Sequence, residues 1–453
     1  MKAHIRTYGC QMNERDSEAV GALLANAGFE IVTDETVADV VIVNTCSVRA
    51  KAEDKALGKL HNLAASKHAH PARIIGVIGC MARRTGAELF EKVKGLDFVI
   101  GPRRLSVLPA VIESIRNGGG AVLDIIGKAD EPANLSGHIN TGIASFVTVV
   151  EGCSRGCTYC VVPEARGPET SRPATDIIEE IRTLVSAGVK EVTLLGQSVT
   201  SYGRKAGIGL EHRQSPLGLE EQFPRLLEGV ATVPGLRRIR FASSHPSGVT
   251  VELARAMSSL PAICNHIHLP LQSGSDRILG LMRRGYSADE YREAVSRLRT
   301  AVPHLAITTD IIVGFPTETE ADFDATRRLM EEIQFDNAYV FKYSPRPRTT
   351  AARWVDDVPP ETKALRNQLL LEDLDRVGLS INQRLVGRDV EVLVEGESLR
   401  NRTRWSGRTS SGKIVIVEPV DGMSGPGMIT VRIERAMPQT LYGTITGREK
   451  ERA

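Results

Sequence analysis

Three cysteines fall within eight residues of this chain: Cys153, Cys157 and Cys160 in EGCSRGCTYC. The Cys-x-x-x-Cys-x-x-Cys spacing lets three thiolates hold three irons of a four-iron, four-sulfur cluster, because thiolates are the ligands such clusters take. No fourth cysteine lies nearby, so one iron stays open to an outside ligand. An open iron can chelate the amine and carboxylate of S-adenosylmethionine, and one electron from the cluster then splits the sulfonium. The cofactor carries that chemistry and the protein must seat it. Two plainer readings use the same residues. A structural zinc takes four ligands, and His138 upstream could supply the fourth. A disulfide framework belongs to small secreted chains rather than to one of 453 residues.

Cys10, Cys46 and Cys80 form a second set. Each ends a short apolar or β-branched run: HIRTYGC, DVVIVNTC and RIIGVIGC. After each run the pattern changes to helical spacing, in DSEAVGALLANAG, VRAKAEDKALGKLHNLAA and MARRTGAELFEKV. Strand then helix, three times over, predicts a parallel α/β sheet, whose ligands bind beyond the carboxyl ends of the strands. All three cysteines are expected at that edge, where their thiolates can converge on one cluster. A lone cysteine so placed would be read as core, and Cys264, which has no such partners, is read as core or barrel-lining.

The rest of the chain supplies the elements that position these residues. A linker is expected over 127–145, where Gly, Asn and Pro replace periodicity. From SFVTVVEG onward strands alternate with helices in about six units through KEVTLLG, RRIRFAS, HIHLPL, AITTDIIVGF and NAYVFKYS. The cysteine loop follows the first strand. This predicts a partial (β/α) barrel over 146–380, with active groups at the strand carboxyl ends. A long polar helix then leads to short strands with Gly-rich turns over 381–450, a small all-β barrel. Within it, the expected loop SLRNRTRWSGRTSSGK carries Arg400, Arg402, Arg404, Arg408 and Lys413 around Trp405, a pattern suited to a phosphate backbone and a stacking surface. The fold class is therefore α/β, with a parallel α/β domain over 1–126 and an all-β module at the end.

Composition is that of a globular chain, 42% hydrophobic and 25% charged, and a net charge of +2 confines any nucleic-acid contact to local patches. The opening is too short and polar for a signal peptide, no stretch is apolar enough to span a bilayer, and seven cysteines without a small-scaffold pattern fit a reducing cytoplasm.

These blocks, in this order, resemble the methylthiotransferases of the radical S-adenosylmethionine superfamily over nearly the whole chain. YGCQMNERDSE, EGCSRGCTYCVVPEARGPETSRP and FKYSPRPRTTAA look most like the tRNA branch, whose members add a methylthio group to carbon 2 of isopentenyl-modified adenosine beside the anticodon. The resemblance implies a radical [4Fe–4S] cluster on Cys153, Cys157 and Cys160 and an auxiliary one on Cys10, Cys46 and Cys80. It also implies an RNA-binding C-terminal barrel of the TRAM type. LLGQ with Gln197, HLPLQSGS with Gln272 and Ser273, and DIIVGFPTE with Asp310 and Gly314 match motifs expected to line the cofactor pocket. Arg166, Glu169 and Arg172 are expected to organise the site or face substrate. The expected partners are the tRNA anticodon stem-loop, a sulfur donor and a one-electron donor, with the enzyme a monomer. The chain departs from the family pattern at Ser198, where Asn is usual, and at Ser243, Ser244 and His245, where Ser-Pro-His is usual. Related readings are methylthiolation of threonylcarbamoyl-adenosine or of a ribosomal-protein aspartate. A non-catalytic iron–sulfur RNA-binding redox sensor is the reading from a different class.

Overall fold

The computed structural model describes residues 1–48, 50–126, 136–139, 142–203, 222–419 and 425–448. The N-terminal part is one six-stranded parallel sheet, ordered β2-β1-β3-β4-β5-β6. Its strands are β1 Lys2–Tyr8, β2 Glu30–Ile31, β3 Val40–Thr45, β4 Ile74–Gly79, β5 Phe98–Ile100 and β6 Val122–Asp124. Every residue of β3 and β4 is buried, as unbroken apolar runs require when helices cover both faces of a parallel sheet. Helices α1 Gln11–Asn26 and, further on, Leu108–Arg116 cover one face. α2 Ala50–Ser66, α3 Cys80–Thr85 and α4 Glu88–Lys92 cover the other. The run MARRTGAELFEKV is thus two short helices rather than one, broken at Gly86, whose φ is +55°. We call Leu108–Arg116 α5.

β7 Ala144–Thr148, β10 Glu191–Leu195 and β11 Arg238–Phe241 form one parallel sheet, and β12 His266–His268, β13 Ala306–Val313 and β14 Asn337–Lys342 another. A parallel bridge from Ile239 to Ile263 links the two. The result is the expected six-stranded partial barrel, with β7 and β14 at its edges. Between β7 and β10 the chain makes the pair β8 Val150–Glu151 and β9 Thr170–Ser171, which clasps the cysteine loop and α6 Val162–Arg166. Helices α7 Ala174–Ser186, α8 Gln222–Ala231, α9 Val251–Ser259, α10 Asp276–Leu281, α11 Ala288–Ala301 and α12 Glu320–Ile333 follow in chain order. α8 is not among the expected helices. Its apolar residues, Phe223, Leu226, Leu227 and Val230, occupy under three turns behind a polar segment. α13 Pro360–Gln383, read as leading away from the barrel, instead packs Leu370 and Leu374 into the barrel's core.

The C-terminal strands β15 Asp389–Glu397, β16 Trp405–Thr409, β17 Ile414–Val417, β18 Gly427–Ala436 and β19 Thr440–Arg448 close into a barrel. The basic segment expected to be a loop therefore contains a strand, β16. The turn after it seats on the amino-terminal end of the large barrel. Arg238 donates to Arg408 O at 2.8 Å, Arg240 to Thr409 O at 2.5 Å and Ser410 O at 3.1 Å, and Lys413 pairs with Asp336 at 2.7 Å. Among the described residues no helix is long and apolar enough to cross a membrane.

Candidate cluster sites and cofactor pocket

Cys46 and Cys80 immediately follow β3 and β4, and Cys10 follows β1 after Gly9; the three strands are neighbours in the sheet. The chain runs from β1 to β2 on one side and returns to β3 on the other, so Cys10 and Cys46 flank the point where strand order reverses. That crevice is the expected ligand position in an open α/β sheet. Beneath it lies a buried amide lock. Asn13 Nδ2 donates to Asn44 Oδ1 at 3.0 Å and Thr45 O at 3.1 Å, and Asn44 Nδ2 returns a bond to Asn13 O at 2.8 Å. This fixes the first turn of α1, just after Cys10, against the end of β3. Gly79 sets the third cysteine. Its φ is +92°, and a Cβ there would lie 2.4 Å from Asn44 Oδ1 and 2.6 Å from Thr45 O.

The three sulfurs share one electrostatic environment. A hydrogen bond from the Cys46 thiol pushes Cys10 down to about 6 against the effect of burial, with help from Arg166. The same bond, burial and the neighbouring sulfurs push Cys46 up. Burial pushes Cys80 up, opposed by Arg166. Among the described residues no three His, Cys, Asp or Glu side chains gather as ligands of a single ion. A cluster makes a different demand, since each thiolate binds its own iron. Three thiols that feel one another at one edge of the sheet fit that demand.

Cys153, Cys157 and Cys160 lie in the loop after β8 at the carboxyl end of β7. Gly152 precedes the first, with φ +73°, and a Cβ there would meet Pro168 O at 2.2 Å and Gly167 O at 2.5 Å. Cys153 N–H donates to Gly167 O at 3.2 Å. Arg284 Nη1 donates to Cys157 Sγ at 3.3 Å, and Thr158 is anchored to Met282 O and Leu281 O. Burial pushes Cys160 up to about 12 and raises Cys153. Thiols held this way release protons when metal binds. His138, the candidate fourth zinc ligand, is engaged elsewhere. Its Nε2 lies 2.8 Å from Glu180 Oε1, and its Nδ1 lies 3.3 Å from both Glu18 Oε2 and Ser145 Oγ.

Buried polar atoms without a partner mark the neighbouring strand ends: Gln197 Oε1 and Ser198 Oγ after β10, Ser244 Oγ after β11, and Arg155 Nε in the cysteine loop. Unsatisfied buried polar atoms are rare, and this group fits a polar cofactor such as S-adenosylmethionine. The two departures from the family pattern meet here, because Val199 N–H donates to Ser243 O at 3.2 Å and His245 N–H to Thr200 Oγ1 at 3.1 Å. Asp310 and His268, 3.2 Å apart, face the inside of the barrel, since the alternating Ile307, Ile311 and Val313 face the helices. Gln272, with φ +72°, bridges β13 through Asp310 O and Ile312 N. Ser273 is wholly buried and bonded to Thr326 and Ser275 N. Gly314 lies in a turn where a Cβ would strike Lys363. Sequence reasoning missed an aromatic pair on the inner face of β14. Tyr339 and Phe341 are 58% and 37% exposed and stacked at 6.4 Å, and alternate strand positions place them on one face.

Residues 2–101 match a family described as Uncharacterized protein family UPF0004, residues 147–330 the Radical SAM superfamily and residues 383–446 the TRAM domain. A curated protein of Akkermansia muciniphila, named tRNA-2-methylthio-N(6)-dimethylallyladenosine synthase, is 43% identical over 98% of this chain and 98% of its own. One of the same name from Moorella thermoacetica is 43% identical over 97% of each. The chain belongs to the tRNA-2-methylthio-N(6)-dimethylallyladenosine synthase family. Membership makes it a methylthiotransferase of the radical S-adenosylmethionine type, whose cofactors are S-adenosylmethionine and two [4Fe–4S] clusters. The fold is also similar to that of a radical S-adenosylmethionine methyltransferase, TsrM from Kitasatospora setae, with TM-score 0.58 at 13% identity over 78% of this chain and 77% of that one.

Within this synthase-family chain the C-terminal candidates separate. Arg400 and Arg402 are exposed. Arg404 pairs with Glu418 at 3.1 Å and Arg408 with Glu395 at 3.3 Å. Trp405 is half-buried against the core of the small barrel and Lys413 is tied to Asp336. Arg172 is buried against Glu180 at 2.6 Å and donates to Thr148 O, so it organises the site. Arg166 reaches Cys80 and Asp16.

Proposed function

We propose that this chain transfers a methylthio group to carbon 2 of N6-dimethylallyladenosine beside the anticodon of tRNA. The observation that carries the proposal is the pairing of two three-cysteine sites on opposite sides of one buried interface, in a chain 43% identical to such synthases from end to end. That carbon has no acidic or easily displaced hydrogen, so acid–base catalysis alone does not serve. Bound here, the clusters would supply an electron to cleave S-adenosylmethionine and an open iron to hold sulfur. In this assignment Cys153, Cys157 and Cys160 hold the radical cluster and Cys10, Cys46 and Cys80 the auxiliary one. Gln197, Ser198, Ser244 and Arg155 bind S-adenosylmethionine, and Gln272 and Asp310 shape the same pocket. Tyr339 and Phe341 offer an aromatic surface to a base taken out of its stack, which an anticodon loop makes inexpensive. Arg400 and Arg402 contact the phosphate backbone.

The units we assign are 1–126 for the auxiliary cluster, 127–145 as linker, 146–380 for the radical barrel and 381–450 for RNA binding. Residues 127–135 and 140–141 of that linker lie outside the described residues. The enzyme acts in the cytoplasm as a monomer that draws on a sulfur donor and a one-electron donor. Nucleoside mass spectrometry of tRNA from cells with and without the chain tests the substrate. Loss of the 2-methylthio nucleoside with accumulation of its dimethylallyl precursor is expected. An unchanged level would move the substrate to threonylcarbamoyl-adenosine or the ribosomal-protein aspartate.

A further inference from the structure

One dipeptide touches a ligand from each cysteine set. Gly167 O accepts from Cys153 N–H at 3.2 Å, and the adjacent Arg166 donates through Nε to Cys80 Sγ at 3.2 Å. The other edge of the guanidinium takes Asp16 in a fork, Nη2 to Oδ2 at 2.6 Å and Nη1 to Oδ1 at 3.4 Å. Asp16 lies on α1, the helix that starts directly after Cys10. Arg166 is 4% exposed. Its backbone is gripped from the N-terminal side as well, with Arg103 Nε donating to Arg166 O at 2.9 Å and Arg83 Nε to Glu164 O at 2.9 Å. A planar fork with donors on two edges can hold a carboxylate and a sulfur at once; a lysine, a compact point charge, cannot keep that geometry. Hydrogen bonds to ligand sulfurs set cluster potentials, and outer partners orient the ligands themselves.

We infer that Arg166 is a positioning residue that ties Cys80 to the loop bearing Cys153, fixing the separation of the two clusters and favouring the reduced state of the auxiliary one. The inference rests on the reading of Cys80 as a cluster ligand.

The test uses reconstituted full-length R166K and R166Q, with Cys80→Ala as the control. Each is made in the wild-type chain and in a background with Cys153, Cys157 and Cys160 changed to Ala, so that only the auxiliary signal remains. Three quantities are read: iron content, the auxiliary midpoint potential by EPR-monitored titration, and the ratio of methylthiolated nucleoside to 5′-deoxyadenosine. R166K and R166Q should load iron as the parent does. Both should show a more negative auxiliary potential and a roughly tenfold lower product ratio, the scale on which outer partners act. If R166Q fails to fold or load, R166K, which retains a cation for Asp16, decides. Unchanged potential and ratio in the variants that load would overturn the inference and leave Arg166 as a tie between domains. Cys80→Ala retaining both clusters would instead remove the ligand reading, whatever the Arg166 variants do.

Discussion

The two cysteine sets reach a similar end by opposite construction. Cys153, Cys157 and Cys160 sit in one loop, so their spacing is written in the local chain. Cys10, Cys46 and Cys80 are dispersed over seventy positions and meet only because β1, β3 and β4 are neighbours in register. A loop site tolerates small movements of its surroundings. A strand-end site depends on pairing, because a one-residue slip would turn every side chain on that strand to the other face. The Asn13–Asn44 lock and Gly79 guard that register. Direct recognition of a cluster motif therefore works for the loop, whereas the strand-end site has to be inferred through topology.

The largest expected effects separate the sets by activity. Cys157→Ala should reduce both S-adenosylmethionine cleavage and methylthiolation to background. Cys46→Ala should abolish methylthiolation yet retain 5′-deoxyadenosine formation on reduction. Chromatography of both products checks this, and loss of cleavage in Cys46→Ala would erase the division of labour.

Next come the glycines. Gly79→Val should cost about 1–3 kcal/mol from its backbone conformation alone and lower auxiliary iron content. Gly152→Val should depress S-adenosylmethionine cleavage first. Urea unfolding with iron analysis tests whether the two sites fail separately.

A smaller effect is expected from RNA contacts. Arg400→Ala and Arg402→Ala should each weaken tRNA binding and lower its salt slope by about 1. Arg404→Ala should do less, because Glu418 already partners that side chain. Binding measured across salt concentrations would show it.

The smallest concerns the interface between the two sites, where Glu180 is shared by Arg15, Arg172 and His138. Burial raises the Glu180 carboxyl, but His138, Arg172 and Arg15 outweigh it and hold it below its usual range. Burial lowers His138, but Glu18 and Glu180 outweigh it and hold it above. The Glu180 contribution is present above its unfolded pKa and is lost as pH falls through its lower folded value. The His138 contribution is full below its unfolded pKa and is lost as pH rises through its higher folded value. Thermal stability should therefore decline on both sides of a plateau, and His138→Gln should abolish the alkaline decline and also lessen the acid one, because His138 helps hold the Glu180 carboxyl down.

Much of this was legible in the sequence, because strand-then-helix periodicity and six cysteines at telling positions are local signals. The long strands and helices around both sites fall where that periodicity puts them, whereas the break between α3 and α4 and the short β8, β9 and α6 around the cysteine loop do not show in it. What stayed hidden depends on distant partners. Nothing near Arg166 announces Cys80, 86 residues away, and nothing near Arg15 announces Glu180, 165 away. β16 was hidden because Trp405–Thr409 is polar and short, and only barrel closure makes it a strand. Tyr339 and Phe341 read as ordinary strand aromatics until β14 proved to be an edge with one face open.

The seating of the small barrel has a consequence for how an RNA would be measured. Arg238 and Arg240 clamp the end of β16 and the turn after it, and Asn382 on α13 holds Met437 O and Pro438 O. Arg400 and Arg402 are thereby carried by a rigid mount at the end of the large barrel away from the cysteine loop. The span from grip to mouth is then a built-in gauge. An RNA whose stem is too short or too long to bridge it would be held at one end without presenting its base at the other.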